Sequence, residues 1–265
     1  MRFRLKSGLT LRYKTRGAGS TVVLLHPVAM RAEFWDPVIA ELESNVRLIA
    51  IDIRGHGESD IPDKPFSLDD LTADVVELVR AVGSPPCVMV GCSMGVMIAN
   101  WVAVKAPELV RALVLSNATH TRTQEGRAAL QRRADAALNG MPAVLEGTLS
   151  RWFSPQVMAL NADVVAKVRA WFLDNDPVVH SWSWLCMRDR DYGDKLASIR
   201  VPVLAIAGSN DDSATPSIVK EMSQAFPRGS FYQMEGVGHF APLENPRLYA
   251  RVLRDFISGL PDERT

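Results

Sequence analysis

A serine hydroxyl becomes a useful nucleophile only when a base stands beside it and the backbone holds it clear of its neighbours. The 265-residue chain offers such a serine at Ser93, within Gly91-Cys92-Ser93-Met94-Gly95. The preceding run, Cys87-Val88-Met89-Val90, is short and apolar, and residues 94–105 read as a helix that stops before Pro107. A G-x-S-x-G pattern alone arises often by chance. Between a strand and a helix it describes a sharp turn whose residues two before and two after the serine must be small. Of the five histidines, His239 lies in Gly236-Val237-Gly238-His239-Phe240, where flanking glycines let the backbone carry the ring close, and it is the candidate base. Gly208-Ser209-Asn210-Asp211-Asp212 supplies an acid to hold the imidazole; Asp211 is preferred and Asp212 is the rival. Such a set performs acyl transfer with no metal and no organic cofactor.

Positioning these groups requires a particular frame. Residues 2–6 and 11–15 alternate in polarity around Gly8 and read as a hairpin. Apolar runs at 21–25, 46–51, 87–90, 112–115 and 201–206, with 230–234, read as strands, most of them buried on both faces. Helical patterns at 34–42, 68–82, 94–105, 218–226 and 246–257 separate or follow them. Strands alternating with helices imply an α/β fold with a mostly parallel sheet covered on both faces. Residues 121–195 break the rhythm. They hold helical patterns at 128–138, 141–153 and 162–173, and four of the six tryptophans. The expected organisation is a core made of 1–120 and 196–265, with 121–195 inserted as a helical cap.

Bulk properties exclude several functions. Thirty basic residues balance thirty acidic ones, which leaves no global field to hold nucleic acid or an anionic membrane. The N-terminus, Met1-Arg2-Phe3-Arg4-Leu5-Lys6, lacks the roughly 7–15 apolar residues of a secretory signal. No segment approaches the ~18 apolar residues of a membrane span. Cys87, Cys92 and Cys186 are odd in number and without metal-type spacing. A cytoplasmic protein, monomeric or homodimeric, acting on a small molecule is expected.

The His26-Pro27 loop, the segment 52–59, the turn at Ser93 and Gly238-His239-Phe240 together resemble the α/β-hydrolase superfamily. That resemblance spans essentially the whole chain. It implies a mostly parallel eight-stranded sheet flanked by helices, with a helical cap inserted after the sixth strand, and a triad in the chain order Ser93, Asp211, His239. It also implies an oxyanion hole formed by backbone N–H groups of Met94 and of the loop after the first buried strand. Pro27 has no N–H, so Val28 is the donor expected there. The segments 91–95, 106–117 and 186–191, the last leading into 199–204, are similar to 3-oxoadipate enol-lactonases. That narrower resemblance implies a small ester or lactone substrate that carries a carboxylate. Arg133 and Arg188 are the cap residues expected to meet the carboxylate, with Trp152 and Trp182 walling the pocket. A carbon–carbon bond hydrolase, a general carboxylesterase and a non-catalytic ligand receptor share the same motifs.

Overall fold

The computed structural model describes residues 1–42, 46–121, 123–153, 155–190 and 192–261. Asp191 of the segment compared above lies outside the described residues, as do the chain's last four positions, 262–265. The chain begins with the hairpin β1 (Arg2–Arg4) and β2 (Thr10–Arg16). It continues through β3 (Ser20–Leu25), α1 (Asp36–Glu41), β4 (Val46–Ile51), α2 (Leu68–Val82), β5 (Cys87–Cys92), α3 (Met94–Lys105) and β6 (Val110–Ser116). Five helices follow: α4 (Gln124–Ala137), α5 (Met141–Trp152), α6 (Pro155–Leu160), α7 (Ala162–Leu173) and α8 (Pro177–Asp189). The alternation then resumes with β7 (Val203–Gly208), α9 (Pro216–Gln224), β8 (Gly229–Met234), α10 (Ala241–Glu244) and α11 (Pro246–Ser258).

The eight strands form one sheet in the order β1-β2-β4-β3-β5-β6-β7-β8. The β1–β2 and β2–β4 pairs are antiparallel and every other pair is parallel. This is the α/β-hydrolase architecture, with its helical insertion after the sixth strand. Every residue of β5 and β7 is buried, as expected for central strands covered on both faces. The edge strand β8 is mostly exposed. Parallel pairing places the C-terminal ends of β3, β5, β6, β7 and β8 at one edge. The loops that follow them carry residues 26–30, Ser93, Asn117, Asp211 and His239 to that edge.

The segment 52–59 is scaffolding at the far side of the same edge. The Asp52 carboxylate accepts from the backbone N–H groups of Ala32 (2.6 Å) and Glu58 (3.0 Å). Arg54 donates twice to Asp74 on α2, at 2.5 and 2.6 Å, in a buried pair.

Three element boundaries differ from the sequence expectation, each for a local reason. Helix α8 has no clear signal because Val178, Val179, His180, Ser181, Trp182 and Ser183 are poor helix formers. It forms because Pro177 starts it and the Asp176 carboxylate caps the N–H groups of Val178 (2.8 Å) and Val179 (3.0 Å). Helix α4 begins four residues before the expected 128, since the Thr123 hydroxyl caps Gly126 N–H at 3.0 Å. Strand β7 begins at Val203 rather than 201; Pro202 has no N–H to give, although its carbonyl accepts from Leu113 at 3.0 Å.

Buried imidazoles make the fold sensitive to acid. His26 donates from Nδ1 to the Pro27 carbonyl (2.7 Å) and accepts from Ile53 N–H at Nε2 (3.0 Å). His180 accepts at Nε2 from the Trp184 indole (2.9 Å). Burial, with neighbouring positive charge, lowers His180 to about 3 and His56 to about 4, from the ordinary 6.5. These bases stay neutral in the fold but protonate in the unfolded chain below pH 6.5, so stability falls as pH drops through that value. Each contributes a loss of about 2 kcal/mol between pH 7 and 5. Urea titrations at the two pH values test this. His180→Gln is expected to reduce the acid loss by about 2 kcal/mol, and an unchanged loss would contradict the assignment.

Candidate active site

The turn after β5 is built by close approach. A Cβ placed on Gly91 would lie 2.5 Å from the Gly95 carbonyl, and one on Gly95 would lie 2.1 Å from the Leu25 carbonyl oxygen. Both contacts are with backbone, so neither position accepts a side chain. Between them Ser93 takes φ 51° and ψ −110°, a conformation that a non-glycine residue rarely holds. Its N–H donates to the Ser116 carbonyl at 2.9 Å, which ties the turn to the end of β6.

His239 Nε2 lies 3.2 Å from Ser93 Oγ, and Nδ1 lies 2.8 Å from Asp211 Oδ2. With Nδ1–H donated to the carboxylate, Nε2 is left to accept the serine proton. The other Asp211 oxygen accepts from the N–H groups of Ser213 (2.8 Å) and Ala214 (3.0 Å). Burial pushes the Asp211 carboxyl up, but the His239 charge and the hydrogen bonds from His239, Asn117 and Ala214 outweigh it. The group is held below its usual range and is a carboxylate at neutral pH. Asp212, the rival acid, is exposed.

Two residues that the sequence reading passed over hold this set in place. Asn117 stands just past β6 at φ 56° and is fully buried. Its side-chain amide donates to Asp211 Oδ2 (3.0 Å) and to the Gly238 carbonyl (3.1 Å), linking the acid loop to the histidine loop. The signal available was an asparagine, a type tolerant of positive φ, closing an apolar strand. Glu244 on α10 accepts from Gly238 N–H (2.7 Å) and Phe240 N–H (3.0 Å), on either side of His239. A glutamate on a four-residue helix looks like any surface acid in sequence, so no signal pointed to it. The His239 N–H itself donates to the Trp152 carbonyl at 3.1 Å, which couples the base to the last residue of α5.

The contact between Gly95 and Leu25 sets the end of β3 against the first turn of α3. Met94, the first residue of the helix, lines the Ser93 cavity, whereas Val28 is buried and is not part of that lining. Among the described residues neither the Val28 nor the Met94 N–H donates to another group. The N-terminus of α3 adds a partial positive charge beside Ser93.

Ser93 and His239 open on a cavity of about 540 Å³ whose far wall is the helical insertion. Trp152 and Trp184 contribute aromatic surface, and Arg133, Arg151 and Arg190 contribute charge. The Arg133 guanidinium lies 5.2 Å from the Trp184 ring centre. Arg151 donates to the Gly147 carbonyl (2.6 Å) and to Thr148 Oγ1 (3.2 Å). Burial lowers the Arg151 guanidinium to about 10, with the Arg133 charge adding to the effect.

Arg188 and Trp182, expected in this pocket, line a different cavity together with Asp69, Asp70 and Trp101. The helix period explains it. On α8, Trp184 and Met187 share the face toward Ser93, whereas Trp182, Leu185, Cys186 and Asp189 recur at three- and four-residue spacing on another. Arg188 is also engaged, donating to both carboxylate oxygens of Asp189 (2.6 and 2.7 Å) and to Gln131. Arg190 takes its place because the helix ends at Asp189 and the backbone turns extended there, at φ −65° and ψ 129°.

Among the described residues no group of three or more His, Cys, Asp or Glu side chains is arranged to hold a metal. No helix among them is long and apolar enough to cross a membrane.

The sequence pattern of the alpha/beta hydrolase family matches residues 22–252. The chain is 26% identical over 259 residues to an (E)-2-((N-methylformamido)methylene)succinate hydrolase of Acinetobacter baylyi, covering 97% of each protein. It is 26% identical over 258 residues to 3-oxoadipate enol-lactonase 1 of the same organism, covering 96% of each. The solved structure of an enol-lactonase from Burkholderia xenovorans superimposes with a TM-score of 0.90 at 24% identity, covering 97% of this chain and 100% of that one.

Proposed function

The chain belongs to the alpha/beta hydrolase family, and from that premise we propose that it is a serine hydrolase cleaving a small, carboxylate-bearing ester or lactone through an acyl-enzyme, as a 3-oxoadipate enol-lactonase does. One observation carries the reading: the hydrogen-bonded line Ser93–His239–Asp211 opens into a cavity that also holds arginines.

His239 Nε2 takes the Ser93 proton as Oγ attacks the substrate carbonyl carbon. The resulting oxyanion is met by the N–H groups of Val28 and Met94; one such donor contributes about 3 kcal/mol in the transition state. As the intermediate collapses, the acyl C–O bond to the leaving oxygen breaks and His239 returns its proton to that oxygen. In a lactone the leaving group stays tethered to the acyl chain. Water then attacks the acyl-enzyme, giving its proton to His239, and release of the free acid returns that proton to Ser93. Asp211 holds the imidazole in the required tautomer throughout and stays ionised. The segment 121–195 acts as the cap that sets what reaches Ser93, with Arg133 and Trp152 as substrate contacts.

The equal likeness to a hydrolase of a methylene succinate makes a carboxylate-bearing compound other than a lactone the second reading. A side-by-side panel separates them: an enol-lactone bearing a free carboxylate, p-nitrophenyl esters with and without one, and a vinylogous diketone. The expected result is the highest kcat/KM for the carboxylated enol-lactone, together with rapid fluorophosphonate labelling of Ser93. Absence of both turnover and labelling would remove the serine-hydrolase reading.

A further inference from the structure

Arg12, Arg31 and Arg54, whose side chains are largely buried, each sit beside a carboxylate. The three that line the Ser93 cavity do not. Among the described residues Arg133, Arg151 and Arg190 form no ion pair, and one acid, Glu221, lines the same cavity. The Glu221 side chain is 68% exposed and stands 3.9 Å from His120, so it neutralises little inside. A half-buried guanidinium without a counter-ion is costly unless a ligand supplies the charge.

The three charges form two separate poles. Arg133 and Arg151 share the α4–α5 side, close enough to border a second, smaller recess together. Arg190 comes from the other side, just past α8. It is 5% exposed, donates from Nη2 to the Thr119 carbonyl (2.8 Å) and lies 4.3 Å above the Tyr192 ring. Tyr192 is itself held by Asn100, whose amide donates to the Tyr192 hydroxyl at 3.3 Å. The remaining Arg190 donors, Nε and Nη1, are buried with no protein partner among the described residues. Arg190 stands in the wall between this cavity and the neighbouring one, which carries Asp69, Asp70 and Asp189. Asp189 there is paired with Arg188 and Asp69 with Lys105, while Asp70 disfavours an anion on that side, so the Ser93 side is where one would meet Arg190. A single carboxylate at Arg133 and Arg151 would leave these donors unsatisfied.

We propose that the cavity holds two carboxylate subsites, one at Arg133 and Arg151 and one at Arg190, so that the substrate is an ester or lactone with two free carboxylates. This deepens the serine-hydrolase reading and rests on it for the role of Ser93. It extends that reading by assigning a second anionic group to the acyl compound.

Binding tests it without turnover. The full-length Ser93→Ala protein is titrated calorimetrically with glutarate and adipate, and with their monocarboxylate counterparts valerate and hexanoate. Each dicarboxylate is expected to bind roughly tenfold or more tightly than its counterpart, as one added charge-assisted contact implies. Arg190→Gln should bring the dicarboxylates down to the monocarboxylate level and leave the monocarboxylates unchanged. Arg133→Gln should weaken both classes. Equal affinities for the two classes, or no dicarboxylate binding at millimolar concentration, would overturn the proposal. Should Arg190→Gln lose its cooperative melting transition, the affinity ratio in the parent protein and in Arg133→Gln decides the matter. A Ser93→Ala protein that still hydrolysed esters would instead remove the hydrolase reading, whatever the binding ratio.

Discussion

Replacing Ser93 with alanine lowers kcat for ester hydrolysis roughly ten-thousand-fold or more, while the melting temperature stays close to that of the parent protein. The two halves of this expectation have different physical sources. Under the proposed mechanism the Ser93 oxygen forms the acyl bond, and no neighbour replaces it. Cys92 is adjacent in sequence, but it is fully buried, and burial pushes its thiol well above the ordinary range, so it remains a neutral, inaccessible thiol. Under the proposed mechanism, what survives the substitution is attack by water on a carbonyl polarised by the Val28 and Met94 N–H groups. Stability changes little because, among the described residues, the Ser93 side chain makes one hydrogen bond, 3.2 Å to His239. The strained backbone is retained whether residue 93 is serine or alanine, since both carry a Cβ. His239→Ala should cost a similar factor, and the double variant should cost no more than either alone, because the two groups act in one proton transfer. Steady-state rates on a p-nitrophenyl ester, with melting curves, provide the measurement. Retention of more than about one hundredth of the activity in Ser93→Ala, or multiplicative losses in the double variant, would contradict this role.

The frame around Ser93 was legible because its signals are local. A buried parallel strand reads as a run of apolar residues, and the turn after β5 reads as small residues flanking a serine, since backbone contacts at Gly91 and Gly95 leave no room for more. Residues whose roles depend on long-range contacts were not legible. Asn117 meets Asp211 across 94 positions and Gly238 across 121, and no pattern near residue 117 encodes either partner. The choice between Asp211 and Asp212 is of the same kind: adjacent residues of one type differ only in which one the loop turns inward. The arginines show the limit most clearly. Arg188 and Arg190 are equally basic and two positions apart, and the end of α8 at Asp189 decides which of them reaches the Ser93 cavity.

Asp211→Asn is the second substitution with a large expected effect, a fall in kcat of about ten-thousand-fold with little change in KM. The neighbours of Asp211 explain why so small a chemical change matters. Oδ2 accepts both from His239 Nδ1 and from Asn117 Nδ2, and Oδ1 accepts from two backbone N–H groups, so every surrounding group is a donor. An amide must present its own NH₂ to one side of this shell. Toward His239, it opposes the Nδ1–H and drives the ring to the other tautomer, whose Nε2 carries a proton and cannot accept one from Ser93. Toward Ser213 and Ala214, it meets two N–H donors and unsettles the loop that holds the acid. Either orientation leaves buried donors unpaired, at a cost of about 1–3 kcal/mol in stability. The loss of rate is far larger than that cost accounts for, because it comes from the tautomer. Asp212→Asn is the control: its side chain is exposed, and its rate should remain within a few-fold of the parent. If Asp212→Asn proved the inactive variant and Asp211→Asn the active one, the assignment of the acid would be reversed. Asn117→Ala separates positioning from chemistry. It removes one donor to Asp211 and the tie to Gly238 but leaves the tautomer intact, so it should cost far less rate than Asp211→Asn while lowering the melting temperature.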